Sequence, residues 1–339
     1  MRLSMTGLGV AVAVAVFGAG AFEAARAADP VKIRLSFVVP GSNTASLLME
    51  KKELAKHLDK SYRLEITRFA GTPPMITALA AGELDIANLA YPTLPIAIQN
   101  AGIDDLRVIS DDFQDGNPGH YSNEFMVLKD GPIKKVADLK GKVVATNAAG
   151  SGVDIAMRAM LRKSRLEDKR DYTVVEAPFP TMRAMLGEKK VDLIPAVLPF
   201  SFDPELTKIG HSLFTTRDAV GVSQFVMWSA RKSFLDKNRA AMVDLMEDTI
   251  RIMRWYLDPA NHKEAVEIAA RLTKQPPERF ASWIFTDKDY YRDRSLVPDI
   301  AALQRNVDLT RDLGFVKASF DVSKFSDLSI VQEVAKRLQ

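Results

Sequence analysis

The sequence predicts an α/β protein of two lobes, each a mainly parallel sheet flanked by helices, on three observations. Strand-like and helix-like segments alternate from residue 31 onward, and that alternation restarts near residue 142. The length of 339 residues suits two domains at about 100–200 residues each. Alternating strands and helices imply parallel strands joined by helical crossovers. The composition is that of a folded protein, 47% hydrophobic and 26% charged. A net charge of +3, evenly spread, gives no footprint for nucleic acid. The chain has no cysteine, which excludes disulfides, thiolate metal sites, a Cys nucleophile and a lipidated N-terminal Cys.

Residues 1–27 read as a secretory signal. Arg2 precedes an apolar stretch from Leu8 to Phe22, and Ala25-Arg26-Ala27 offers an A-x-A cleavage site. The rival reading is a membrane anchor, but a run of about 15 residues falls short of the ~20 that span a bilayer. No later segment reaches ~18 apolar residues. The mature chain is therefore expected to be a monomer that diffuses freely in the periplasm, with no membrane insertion after cleavage.

Val31–Val39 alternates and is rich in β-branched residues, the pattern of a strand. Pro40-Gly41-Ser42-Asn43-Thr44 ends it with turn chemistry, and a helix is expected from Ala45 to about Asp59 with Leu47, Leu54 and Leu58 on one face. Arg63–Phe69 is a second strand. Gly71-Thr72-Pro73-Pro74 opens a second helix with Met75, Ile76, Leu79 and Ala80 inward, and Leu84–Leu89 is a short third strand. The second unit repeats the order: strand Lys142–Thr146, loop Asn147–Val153, helix Asp154 to about Lys163, strand Tyr172–Glu176, helix Thr181–Gly187 and strand Val191–Val197. The last third is helical. From Asp236 to Leu257, Met242, Leu245, Met246, Thr249, Ile252, Met253 and Tyr256 recur at helical spacing. Asn261–Leu272, Arg279–Phe285 and Val331–Leu338 continue it.

Catalytic motifs are missing. No P-loop, zincin, nucleophile-elbow or EF-hand pattern occurs. Ser229-Ala-Arg-Lys232 matches S-x-x-K without its companion motifs, a chance match. His57, His120, His211 and His262 are scattered, and His57 is expected on the solvated side of the first helix. Neither an enzyme, a metal centre nor a bound cofactor is indicated. What the sequence offers is three loop-to-helix junctions after strands: Pro40–Thr44, Gly71–Pro74 and Asn147–Val153. Ligands of open α/β sheets collect at that edge, and helix starts favour anions. Gly150 and Gly152 permit close backbone approach, and Asn147 and Ser151 add polar groups. Such residues also serve simply as caps and turns; three junctions in a two-lobed chain favour a cleft.

Three segments carry a resemblance. Met75–Ala87 (MITALAAGELDIA) is similar to an ALxAGxLDxA helix-strand unit, Ala137–Asn147 (ADLKGKVVATN) to a DLKGKxVAT entry into a second lobe, and Met182–Leu193 (MRAMLGEKKVDL) to an ALxxGxVDA unit. With the signal, the chain from about Lys32 to about Leu272 resembles periplasmic substrate-binding proteins of ABC importers, of the nitrate/sulfonate/taurine type. The resemblance implies a two-lobed periplasmic binding protein fold (type II-like) with two hinge crossings, assigned to Ser122–Lys129 and Ser223–Ser229. Lobe one would be 28–122 plus 229–339 and lobe two 123–228, closing over a ligand. It also implies a pocket made by Ser42, Asn43, Thr44, Thr72, Tyr91, Thr93, Asn147, Gly150, Ser151, Gly152, Phe200 after Pro199, Ser223 and Gln224.

Two departures from the family argue against nitrate-sized cargo. Val197-Leu-Pro-Phe-Ser-Phe202 replaces a Trp-x-Pro-Tyr-like segment, and Tyr91 stands where small residues are usual. With Phe179 and Phe225, Tyr91 and Phe200 would give a partly aromatic cavity. The expected small-molecule ligand is a small organic anion, a sulfonate or an aromatic or aliphatic carboxylate, handed transiently to an ABC permease. Arg68 and Arg183 lie near loop edges where they could meet its acid group. The alternatives are a same-fold enzyme of thiamine- or menaquinone-precursor biosynthesis, or a receptor serving a sensor kinase or an ion-driven transporter. The signal argues against the enzyme, as does the lack of a recognisable Schiff-base Lys and His cluster.

Overall fold

The computed structural model describes residues 29–338, so the secretory signal expected at 1–27 lies outside the described residues. The strands are, in chain order, β1 Val31–Phe37, β2 Tyr62–Arg68, β3 Ile86–Ala90, β4 Leu106–Asp115, β5 Glu124–Leu128, β6 Lys142–Thr146, β7 Tyr172–Glu176, β8 Ile194–Ala196, β9 Gly210–Thr215 and β10 Ser223–Arg231. The first sheet has the order β2-β1-β3-β10-β4. In the second, β8-β5-β9 and β6-β7 are joined where the Ala145 N–H donates to the Leu193 carbonyl at 2.8 Å, beside a parallel bridge from Val144 to Leu193. The second order is therefore β7-β6-β8-β5-β9, the same plan as the first. In each sheet four strands run one way. The fifth, arriving from the other sheet, runs against them: β10 in the first and β5 in the second.

The chain crosses between sheets at 116–123 and 216–222. The stretches expected as crossings, 122–129 and 223–229, are mostly β5 and β10, already paired inside a sheet. A boundary at 228/229 would cut β10, whose pairing with β4 begins at Ser223. β10 looks like a crossing in sequence because its middle, Phe225–Trp228, is an unbroken apolar run. That run is apolar because the strand is central, buried from Ser223 to Ala230.

Several helices follow the sequence: α2 Pro73–Ala80, α4 Gly152–Lys163, α5 Phe179–Gly187 and the long Arg239–Tyr256, on which all seven periodic residues are buried. The first does not. α1 covers only Ala45–Leu48, followed by a 3₁₀ stretch Met49–Leu54. Tertiary contacts override the local pattern here. The Lys51 ammonium lies 4.1 Å from the Trp255 ring centroid and bonds Glu264 at 2.9 Å. The N–H groups of Lys56 and His57 donate to the Asp248 carboxylate at 2.8 and 2.9 Å instead of to helix carbonyls. His57 is therefore off any helix, with ring nitrogens 3.7 Å from Asp244 and 3.6 Å from Glu247.

The helix expected at Arg279–Phe285 is a single 3₁₀ turn, Pro277–Arg279, followed by turns that bury Phe280, Trp283 and Ile284. β4, α3 at Thr93–Gln99 and the helix Ile300–Asp312, capped by the Asp299 side chain, are additional elements. No helix among the described residues is long and apolar enough to cross a membrane.

Candidate functional site

The loops that leave β1, β2, β6 and β8 face one another across the two sheets and, with residues of β3, β4 and β10, line a small cavity of about 60 Å³. Six of the expected residues line it: Ser42, Asn43, Thr72, Asn147, Ser151 and Gly152. Ser42 Oγ donates to the Leu198 carbonyl at 3.1 Å, tying the first sheet's loop to the second's. Asn147 Nδ2 reaches back to the Ala70 carbonyl at 3.3 Å while its Oδ1 accepts from Ser151 Oγ at 2.8 Å. Asn43 shapes the wall: its Oδ1 accepts from the Val38 and Val39 N–H groups, and its Nδ2 donates to Asp112 at 2.7 Å. Thr72 Oγ1 is buried without a partner.

The other expected residues stand outside the cavity wall, each for a visible reason. The Thr44 N–H donates to Asp112 at 2.8 Å, and Thr93 Oγ1 turns back to the Ala90 carbonyl. Tyr91 is fully buried; its hydroxyl donates to the Gly152 carbonyl at 3.1 Å and its ring meets Phe225 edge-on at 5.9 Å. It links the lobes from behind. Gly150, at φ +77°, directs its N–H to Asp154. Ser223 is buried in β10. Gln224 crosslinks β4 to the helix at Ile300, with Nε2 donating to Asp111 at 2.6 Å and Oε1 accepting from the Asp299 N–H at 2.7 Å. Phe200 stacks on Phe179 at 6.1 Å in an adjoining groove.

Sequence reasoning missed Asn88, Phe113, Tyr290 and the Val38-Val39 pair, all of which line the cavity. Phe113 lies on β4, whose Ser110-Asp111-Asp112-Phe113-Gln114-Asp115 reads as loop. Each of those polar residues is buried and bonded to other parts of the fold. Tyr290 sits in a stretch without periodicity. Asn88 was legible, as the one polar residue inside the apolar strand Ile86–Ala90.

The anion expectation narrows on inspection. α2 starts with Pro73-Pro74, which have no N–H to offer, and the Thr44 N–H is engaged by Asp112. Only the start of α4 still faces the cavity, through Gly152 and Val153. Arg68 donates to the Val38 carbonyl at the rim and Arg183 pairs with Asp203 at 3.5 Å, so neither lines the cavity. Ser229 is buried in β10 while Lys232 bonds Asp236, and no group of three or more His, Cys, Asp or Glu among the described residues could hold a metal.

Two carboxyls beside the site titrate unusually high. Burial pushes Asp111 up to about 8 and Asp115 up to about 7. Both folded values lie above the ordinary value, so the folded chain holds more protons than the unfolded chain between about pH 4 and 8. The stability these groups contribute is full at the acid end and is lost as pH rises through 7 and 8. The melting temperature should therefore fall between pH 5 and pH 8.5, and Asp115→Asn should make that fall shallower. Thermal melts across the range check both.

The model of the NMT1-like family matches residues 26–270. No curated protein matches the sequence. Among solved structures, the chain is similar to the alkanesulfonate-binding protein SsuA of Xanthomonas axonopodis pv. citri bound to MOPS, with TM-score 0.71, 18% identity and coverage of 89% of this chain and 100% of that one. It is similar to the periplasmic nitrate-binding protein NrtA of Synechocystis PCC 6803, with TM-score 0.70, 16% identity and coverage of 91% and 89%. The desulfurization enzyme DSZB shares the fold too, with TM-score 0.64, 12% identity and coverage of 91% and 100%. At these identities the likeness is one of fold.

Proposed function

Because the chain belongs to the NMT1-like family and has a two-lobed binding-protein fold, we propose that it is a periplasmic solute receptor. It captures a small organic molecule with an apolar body between its lobes and delivers it to an ABC permease. We place lobe one at 29–122 plus 223–338 and lobe two at 123–222, the return boundary following the pairing of β10. The observation that carries the reading is the cavity itself: mostly apolar and aromatic, with a few hydroxyl and amide groups, and bridged by hydrogen bonds between the two lobes. The backbone N–H groups of Gly152 and Val153 at the start of α4, which have no intrahelical partner, would receive an acceptor oxygen of the solute's polar head.

A thermal-shift screen of the exported protein against organic acids, sulfonates, amides, heterocycles and inorganic anions tests the proposal. A ligand that binds only the folded chain adds about 2.7 kcal/mol at a hundredfold excess over Kd. One class of small organic solute should raise the melting temperature by several degrees. A flat response to every class would contradict the receptor.

A further inference from the structure

Two oxygen atoms in the cavity wall are buried and have no hydrogen-bond partner: Asn88 Oδ1 and Thr72 Oγ1. The first is held as an acceptor. Asn88 Nδ2 donates to Asp112 at 2.8 Å, and Asp112 also accepts from Asn43 Nδ2 and the Thr44 N–H. Turning the amide over would set oxygen against oxygen. A buried acceptor is stabilised when a donor arrives, and the cavity is where the donor can come from.

Charge points the same way. The three partners of Asp112 are all uncharged. Arg292 lies behind the same wall and donates to the Ser42 carbonyl at 2.9 Å, but its charge is matched by Asp289 at 3.1 Å. An anion in the cavity would sit beside an unmatched carboxylate in a medium that screens poorly. The start of α4 would help it little, because Asp154 occupies that first turn. The wall itself is flat. Phe113 stacks on Tyr290 with centroids 4.1 Å apart and planes 19° apart, and on Phe225 at 5.9 Å and 24°.

We propose that the solute is an uncharged, ring-bearing molecule with N–H donors for Asn88 Oδ1 and Thr72 Oγ1 and a carbonyl-type acceptor for the N–H groups of Gly152 and Val153. Aromatic amides and lactam-like heterocycles have this pattern; sulfonates and carboxylates do not. The inference rests on the receptor reading above and specifies its cargo.

Calorimetric titration of the exported protein with matched probes tests it: benzamide against benzoate and benzenesulfonate, and nicotinamide against nicotinate. The amide of each pair should bind about tenfold or more tightly than its anions, the discrimination a buried unpaired polar group supplies. Thr72→Val should weaken amide binding about threefold, and Asn88→Ser by more. Should Asn88→Ser fail to fold, Thr72→Val decides alone. Tighter binding of the anions would overturn this inference and leave the receptor standing, as would amide binding untouched by Thr72→Val. Binding by neither class would overturn this inference, and a flat thermal-shift screen beside it would remove the receptor reading as well.

Discussion

Gly152→Leu is expected to abolish solute binding while leaving the fold intact. Gly152 is the first residue of α4, in ordinary helical backbone, so a side chain there meets no conformational penalty. What it meets is the other lobe: a Cβ at this position would lie 2.9 Å from Phe225 Cζ and 3.2 Å from Phe225 Cε2. Both residues line the cavity, and the Gly152 carbonyl also accepts from Tyr91. A leucine would occupy the cavity and press on Phe225, holding the two walls apart. Affinity should fall about 100-fold or more, equivalent to about 2.7 kcal/mol. Gly152→Ala should fall between the two, because a few tenths of an ångström of lobe separation accommodate it. Titration of both variants with any solute that binds the parent checks the order. Unchanged affinity in Gly152→Leu would place the binding site elsewhere. The melting temperature without ligand should drop by no more than a few degrees, since the clash is relieved by opening.

Asp112→Ala is the substitution expected to cost most stability. Its carboxylate is fully buried on β4 and accepts from Asn43 Nδ2, the Thr44 N–H and Asn88 Nδ2 at 2.7–2.8 Å. These bonds fix the loop after β1, the start of α1 and the polar side chain of β3 around one point. Alanine leaves three buried donors without an acceptor, at about 1–3 kcal/mol each and less than additive, so about 4 kcal/mol in all. For lobes of this size the melting temperature should fall by roughly 8–16 °C. Asp112→Asn, which keeps an acceptor oxygen but adds a donor facing other donors, should lose less. Thermal melts of the two variants separate the loss of three bonds from the loss of charge. An Asp112→Ala variant as stable as the parent would mean the loops are held by packing alone.

The fold was legible where periodicity and turn chemistry agree. β1, β2, β6 and β7 alternate in front of Gly, Pro and Asn clusters, and the seven periodic residues of the helix Arg239–Tyr256 are buried as their spacing requires. It was illegible where distant residues decide. α1 ends early because Asp248, nearly two hundred residues away in sequence, takes the N–H groups of Lys56 and His57. β4 reads as loop because its acids find their donors only after folding.

The site divides the same way. Residues at strand-to-helix junctions were found because the topology puts them at the cleft. Gln224, placed in the pocket by the resemblance, turns inward to crosslink the first lobe, and Thr93, placed there likewise, bonds back to the Ala90 carbonyl. Tyr290 and Phe113, which form the flat wall, carry no local signal because their role depends on stacking across the chain.

The most direct test of capture between the lobes is amide hydrogen exchange of the protein with and without the tightest-binding solute of the screen. The account predicts slowed exchange on both walls at once: at 38–44 and 88–91 of the first lobe, and at 151–154 and 197–201 of the second. Protection confined to one lobe, or centred away from these segments, would contradict it.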